Sequence, residues 1–340
     1  MQTLIIILPL LLGASSTEDL PAQRPPLITK PQAFKTLVNP DCSHCRDEAK
    51  RRAGELSPEE PVLCWIRDTK GKYNGGAIPI RFFLNPYRVI SDSYGVFVYD
   101  PDAGYARGFA PSYDFSFYGW RNGVMVMRHK DGTLYSCLTG LAFDGPKKGA
   151  HLKPVPTLVS QWGFWLQHYP GSVAYHMYDR YQPLELPTAL NEDSRKSRVA
   201  NDKRLPAEQA ILGVVDGGQA RAYPTARLAR SGLIADQLNS QALVVLWEDK
   251  TGTAAAYRPV ATPPSGMPGQ PKRVTLYRDA QAAGKPVTDR ETGSHWDIAG
   301  RAIDGKLKHW TLEWLDGIQV KWFAWAAEHP DTSISMADRF

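Results

Sequence analysis

Apolar and polar positions alternate on both sides of a polar break at 95–109, which reads GVFVYDPDAGYARGF. A period of two marks half-buried strands, and a tight turn ending in Gly104 joins them. Strands are therefore expected at 95–99 and 105–109. The pattern returns at 243–257, LVVLWEDKTGTAAAY, and predicts strands at 243–247 and 253–257. GVMVMRH (123–129) alternates in the same way and predicts another strand. Trp162, Trp165 and Tyr169 have helical spacing and predict a short helix with one buried face. Upstream, a Gly-Gly turn leads to a short strand and then a proline-started helical segment, from Pro86 in one place and Pro224 in the other.

These elements recur in order. SCLTGLAFDG (136–145) matches WDIAGRAIDG (296–305) at a shift of 160 residues. WGFWLQHYPGSVAY (162–175) matches WFAWAAEHPDTSIS (322–335) at the same shift, and 95–109 matches 243–257 at a shift of 148. NGGAIPIRFFL (74–84) resembles DGGQARAYPTARLA (216–229). A repeat this long means two domain-sized copies rather than a solenoid of short units. The expected fold is α+β, with two related mixed-sheet domains arising from an internal duplication and a small N-terminal segment. The boundaries read 17–60 for that segment, 61–179 for the first repeat, 180–206 for a polar, proline-bounded linker and 207–336 for the second repeat.

Composition adds compartment and excludes some partners. MQTLIIILPLLLGASS has a short apolar run, Leu4 to Leu12, followed by small residues. That is a signal-peptide pattern over 1–16, with cleavage after Ser16, and the expected location is periplasmic or extracellular. No later segment is apolar enough to cross a membrane as a helix. The net charge of +5 is spread in mixed runs such as NEDSRKSR (191–198), whereas a nucleic-acid binder clusters its basic residues. No nucleic-acid partner is expected.

The second copy, ARAYPTARLARSGLIADQLNSQALVV followed by DRETGSHWDIAGRAIDG, resembles the domain-of-unknown-function 3179 family, and DGTLYSCLTGLAFDG is the first copy's form of the same signature. The resemblance implies tandem copies over most of 74–335 and no settled activity. Members of that family typically carry Cys-Pro-x-Cys-Gly in the turn between the paired strands, which implies redox or metal chemistry there. The matching turns here are DPDAG (100–104) and EDKTG (248–252), without cysteine. A carboxylate does not replace a thiolate in disulfide exchange, so that redox implication does not transfer.

The remaining candidate chemistry is in NPDCSHCRDEAKRRAGEL (39–56). Cys42 and Cys45, two residues apart, suit a metal knuckle completed by Cys64, Cys137 or His44. They equally suit structural disulfides in an exported chain, the simpler reading, or a redox pair at a helix start. The turn acids Asp100 and Asp102 would face Glu248 and Asp249, and hold a hard cation, if the copies packed about a pseudo-twofold axis. As ordinary turn residues they would sit at solvated tips. Asp144-Gly145 and Asp304-Gly305 read as turns, and Phe115 and Phe117 as strand core or as stacking aromatics. No nucleophile–base set has recognisable spacing. The expected function is an exported, non-enzymatic binding or structural protein, with a metal ion as the conceivable cofactor. The alternative is a thiol–disulfide oxidoreductase using Cys42 and Cys45.

Overall fold

The computed structural model describes residues 26–39, 56–69, 72–84, 87–175, 191–199, 202–278 and 287–335. The first half runs through β1 (Ile28–Thr29), β2 (Lys35–Val38), β3 (Pro61–Thr69), β4 (Lys72–Pro79), β5 (Tyr87–Ser91), β6 (Val96–Asp100) and β7 (Tyr105–Phe109). It continues with β8 (Phe115–Arg121), β9 (Val124–His129), β10 (Leu134–Ser136), β11 (Ala142–Asp144), β12 (Pro154–Val155), β13 (Thr157–Gln161), helix α1 (Trp162–His168) and β14 (Val173–Ala174). A one-turn helix α2 (Glu192–Lys196) follows. The second half holds β15 (Ala210–Asp216), β16 (Gln219–Pro224), α3 (Thr225–Ser231), β17 (Leu233–Leu238), β18 (Gln241–Glu248) and β19 (Thr253–Thr262). It ends with β20 (Lys272–Arg273), β21 (Leu276–Tyr277), β22 (Val287–Asp289), β23 (His295–Trp296), β24 (Thr311–Leu315), β25 (Gly317–Lys321), α4 (Trp322–Glu328) and β26 (Ser333–Ile334).

Strand dominates, which corrects the α+β expectation towards a β-rich fold of several mixed sheets. Helices among the described residues are only one or two turns long. One cause is local. The helical segment expected from Pro86 is strand β5, and the first half's only turn of helix there is a 3-10 turn, Ile80–Phe83, entered through Pro79. The Gly-Gly turn also occurs once. Gly217-Gly218 link β15 to β16, but Gly75-Gly76 lie inside β4. β1 and β2, from the N-terminal segment, pair with β8 and β5.

One four-stranded sheet has the order β13-β3-β4-β14 and another has β25-β15-β16-β26, each closed by a parallel edge strand. Their registers correspond. Leu158, Cys64, Ala77 and Ala174 lie in one row, and Ile318, Gly213, Ala222 and Ile334 lie in the matching row. The expected hairpins form with equal register, Val96 opposite Phe109 and Val244 opposite Tyr257. Gly104 and Gly252 end the two turns at φ +70° and +63°, a conformation that a side chain disfavours.

Side chains alternate across a strand, so each of these sheets has two faces to bury. In β3, Leu63 and Trp65 pack into the first half's own β5–β6 layer, while Val62 and Cys64 pack on α1. In β15, Leu212 and Val214 pack within the second half, while Ile211 joins α4 in the core of the first half. α4 thus buries Trp322, Phe323 and Trp325 against Val89, Tyr105, Met125 and Leu138. Reciprocally, α1 places Phe164 on the second-half core around Trp296 and Leu246.

Both helices lack side-chain caps, and their first N–H groups find backbone carbonyls instead. Trp162 and Gly163 donate to Glu60 and Pro58, at 2.9 Å each. Trp322 and Phe323 donate to Gln209 and Ala207, at 2.9 and 3.0 Å. Trp165 stacks on Tyr169 with centroids 4.4 Å apart, and Trp325 on His329 at 4.2 Å.

Gly213 gives the Trp325 ring its place. A Cβ on Gly213 would lie 2.4 Å from that ring, which is fully buried. Gly213→Ala should destabilise the protein by about 1–3 kcal/mol through overpacking. Urea unfolding with an unchanged slope checks this, and an unchanged midpoint would mean that α4 has room to move.

Candidate functional site

The two described cysteines do not meet. Cys64 is a free thiol in the core beneath α1, and Cys137 is a free thiol in the separate cluster beneath α4. Burial pushes both thiols well above their ordinary range, the opposite of a reactive thiolate. Cys42, His44 and Cys45 lie outside the described residues, as does the 1–16 segment. Among the described residues no three His, Cys, Asp or Glu side chains are placed to share a metal ion. Phe115 and Phe117 are core residues. The Asp-Gly pairs turn the chain at Gly145 and Gly305, both at positive φ. Asp304 also pairs with His295 Nδ1 at 2.7 Å.

Among the described residues the turn acids form no shared cation site. Asp100 and Asp102 are buried rather than at a solvated tip. Asp100 Oδ1 accepts the N–H groups of Asp102 and Ala103 at 3.0 and 3.1 Å, and Oδ2 accepts that of Met125 at 3.1 Å. Asp102 Oδ1 accepts Asn191 N–H at 2.7 Å, from the residue that caps α2. In the other half, Glu248 Oε1 accepts Lys250 N–H at 3.0 Å, and Asp249 Oδ2 accepts from Arg278 Nη2 at 2.8 Å.

The second turn borders a cavity of about 370 Å³. Its walls are Trp247 and the 248–250 turn on one side, Trp296, Asp297 and Ile298 of the repeated signature on another, and Phe164, Gln167 and His168 of α1 on the third. Both halves of the chain therefore build it. Arg278 also borders it, and its guanidinium passes over Gly232, where an added Cβ would fall 1.9 Å from Nη1. His168 stacks on Phe164, and its Nδ1 is 2.9 Å from the Phe164 carbonyl. A carbonyl only accepts, so Nδ1 carries a proton.

Behind the cavity, Asp297 belongs to a sealed polar cluster between the halves. Its Oδ1 accepts Arg301 N–H at 2.9 Å, and Arg301 Nε lies 3.7 Å from Oδ2. The Arg301 guanidinium lies over the Tyr169 ring and donates through Nη2 to the His168 carbonyl at 2.6 Å. Burial raises the Asp297 pKa, against the opposing effect of the Arg301 backbone and charge. Burial, and then the charge of Asp297, raises Tyr169 well above the usual phenol range. A buried carboxylate is tolerated where such partners surround it.

In the first half the corresponding side chains take hydrogen bonds from the chain itself, although Glu328 also borders a cavity of about 490 Å³. Asp102 occupies the place of Lys250 and is taken by Asn191. Glu328 occupies the place of His168 and accepts Asn122 Nδ2 at 2.6 Å. Ser194 and Ser197 of the linker bond to Gly123, and Arg198 lies over Phe323 at 3.5 Å. Sequence reasoning missed His168, Arg301 and Asp297 as a set, because they come from different halves. The signal available was the signature itself, in which Asp297 replaces Cys137 and Arg301 replaces Leu141.

Asp100 makes the stability of the fold depend on pH. Burial first, and then the charge of Asp102, pushes its pKa up from 3.8 to about 6, although three N–H groups pull the other way. The native state therefore binds more protons than the unfolded chain between those values. Stability from this group is present below pH 3.8 and is lost as the pH rises through about 6. Asp297 acts in the same direction. Asp131, held low by Thr133, acts oppositely, but below that window. Asp100→Asn should flatten the fall in stability over the window, and should lower stability by about 1–3 kcal/mol by leaving an N–H group without its acceptor. Unfolding curves across the window check this, and equal slopes in the two proteins would contradict it.

A family model described as "Protein of unknown function (DUF3179)" matches residues 120–332 in one span. The span starts in β8, crosses α2 and ends before β26, so it includes the cavity, the sealed cluster and both tryptophan helices. No curated protein and no solved structure matches the chain. The matched span covers more than half of the chain, and the chain belongs to the DUF3179 family of proteins of unknown function.

Proposed function

We propose that this is a binding protein whose ligand site is the second-half cavity, on a scaffold that arose by internal duplication. The observation that carries the reading is the asymmetry between equivalent places. In one half, Asp102 and Glu328 are occupied by Asn191 and Asn122. In the other, Lys250 and His168 border an open cavity walled by Phe164, Trp247 and Trp296. Small-molecule sites are concave and combine apolar walls with polar groups that fix orientation; half of this cavity's lining residues are apolar and half polar or charged. The first half then serves as support, lending α1 as one wall.

Duplication is supported by the matching sheet orders and by hairpins of equal register. Boundaries of 61–179 and 207–336 for the copies, with 180–206 as linker, belong to the same proposal. So does export, which rests on the apolar run from Leu4 to Leu12. Among the described residues no helix is long and apolar enough to cross a membrane.

Ile303 borders the cavity and is half-buried, so Ile303→Trp should fill it. Fragments detected by ligand-observed NMR should bind the native chain and lose at least about tenfold in affinity, roughly 1.4 kcal/mol, in the filled variant. Fragments that bind both proteins equally would place binding elsewhere and contradict the reading.

A further inference from the structure

The cavity's polar groups divide into those already engaged and those left over. Glu248 takes the Lys250 N–H and Asp249 takes Arg278, while Asp297 accepts the Arg301 N–H at Oδ1 and its Oδ2 has no hydrogen-bond partner among the described residues. The Lys250 ammonium has no ion pair among the described residues, and His168 Nε2 is left by the bond at Nδ1. The remaining lining is largely aromatic or aliphatic: Phe164, Trp247, Trp296, Leu246 and Ile298.

The first half shows what such positions demand. There the two equivalent side chains are acids, Asp102 and Glu328, and the covering chain brings each a hydrogen-bond donor, Asn191 N–H and Asn122 Nδ2. In the second half the same two places carry a cation and an imidazole, and no described segment brings them partners. The Lys250 ammonium has donors and no acceptor, so its complementary group is an acceptor carrying negative charge. Flat aromatic walls favour a flat apolar body behind it.

We propose that the cavity binds a small organic anion, a carboxylate on a flat apolar body, with the Lys250 ammonium as its counter-charge. The carboxylate sits at the rim beside Lys250. The body lies between Phe164 and the two tryptophans. Lys250 is exposed and strongly hydrated, so affinity comes from the walls and selectivity from the charge. This inference rests on the cavity being the ligand site.

Three probes of one shape separate charge from cavity: benzoate, benzyl alcohol and benzamidine, titrated calorimetrically into the full chain. Benzoate should bind more tightly than both others. Lys250→Met should weaken benzoate at least about tenfold and leave benzyl alcohol unchanged, while Lys250→Arg keeps benzoate binding. Benzamidine or benzyl alcohol binding as tightly as benzoate, or benzoate binding unmoved by Lys250→Met, would overturn the anion assignment while the cavity reading stands. Failure of all three probes to bind, or equal binding of all three by the Ile303→Trp variant, would overturn both. Lys250 lies on an exposed turn, so circular dichroism of the variants should match the native chain.

Discussion

A seven-residue helix cannot stand alone, and this fold depends on burying two of them twice. α1 and α4 each carry two tryptophans, and each lies between its own four-stranded sheet and the other half of the chain. Helices this short gain their stability from packing rather than from propensity. The sheets face the same constraint, because β3 and β15 are apolar on both faces and one face has no partner without the helix. Neither half therefore closes its core alone. The Asp297–Arg301–Tyr169 cluster gives the α1 contact a polar lock, and Arg107 with Asp316 forms an ion pair between the halves beside α4.

The same reciprocity creates the cavity. Because α1 is lent to the second half, its outer edge becomes a wall beside the 248–250 turn. Because α4 is lent to the first half, the matching place there is met by 191–198. Among the described residues, 191–198 covers the first-half place alone, although Glu328 there still borders a cavity of about 490 Å³.

Much of the architecture was legible in the sequence because it rests on local periodicity. The hairpins around Gly104 and Gly252 and the two tryptophan helices follow from alternation and helical spacing, and they occur where expected. The misreadings were of register and environment. Pro86 resembled a helix start, but Pro79 is the residue opposite Val62, as Pro224 is opposite Ile211, so the helical turn comes earlier. Asp100 looked like a solvated turn residue. Nothing local announces that Met125, a strand and a turn away, will offer it an N–H group. The cavity was the least legible part, since His168 meets Asp297 only through the exchange of helices. Cys42 and Cys45 lie outside the described residues, and Cys64 and Cys137 serve as small core side chains.

The central claim is that the halves hold each other closed. The direct test is residue-resolved native-state hydrogen exchange in mild denaturant, on the native chain and on Arg301→Met, which removes the guanidinium that faces Asp297 and Tyr169. Leaving that carboxylate buried without its partner should cost about 3–5 kcal/mol. The account predicts that slowly exchanging amides in β3 and β15 lose protection together and by the same amount. If β3 kept its native protection while β15 lost it, the halves would be independent domains and the account would be contradicted.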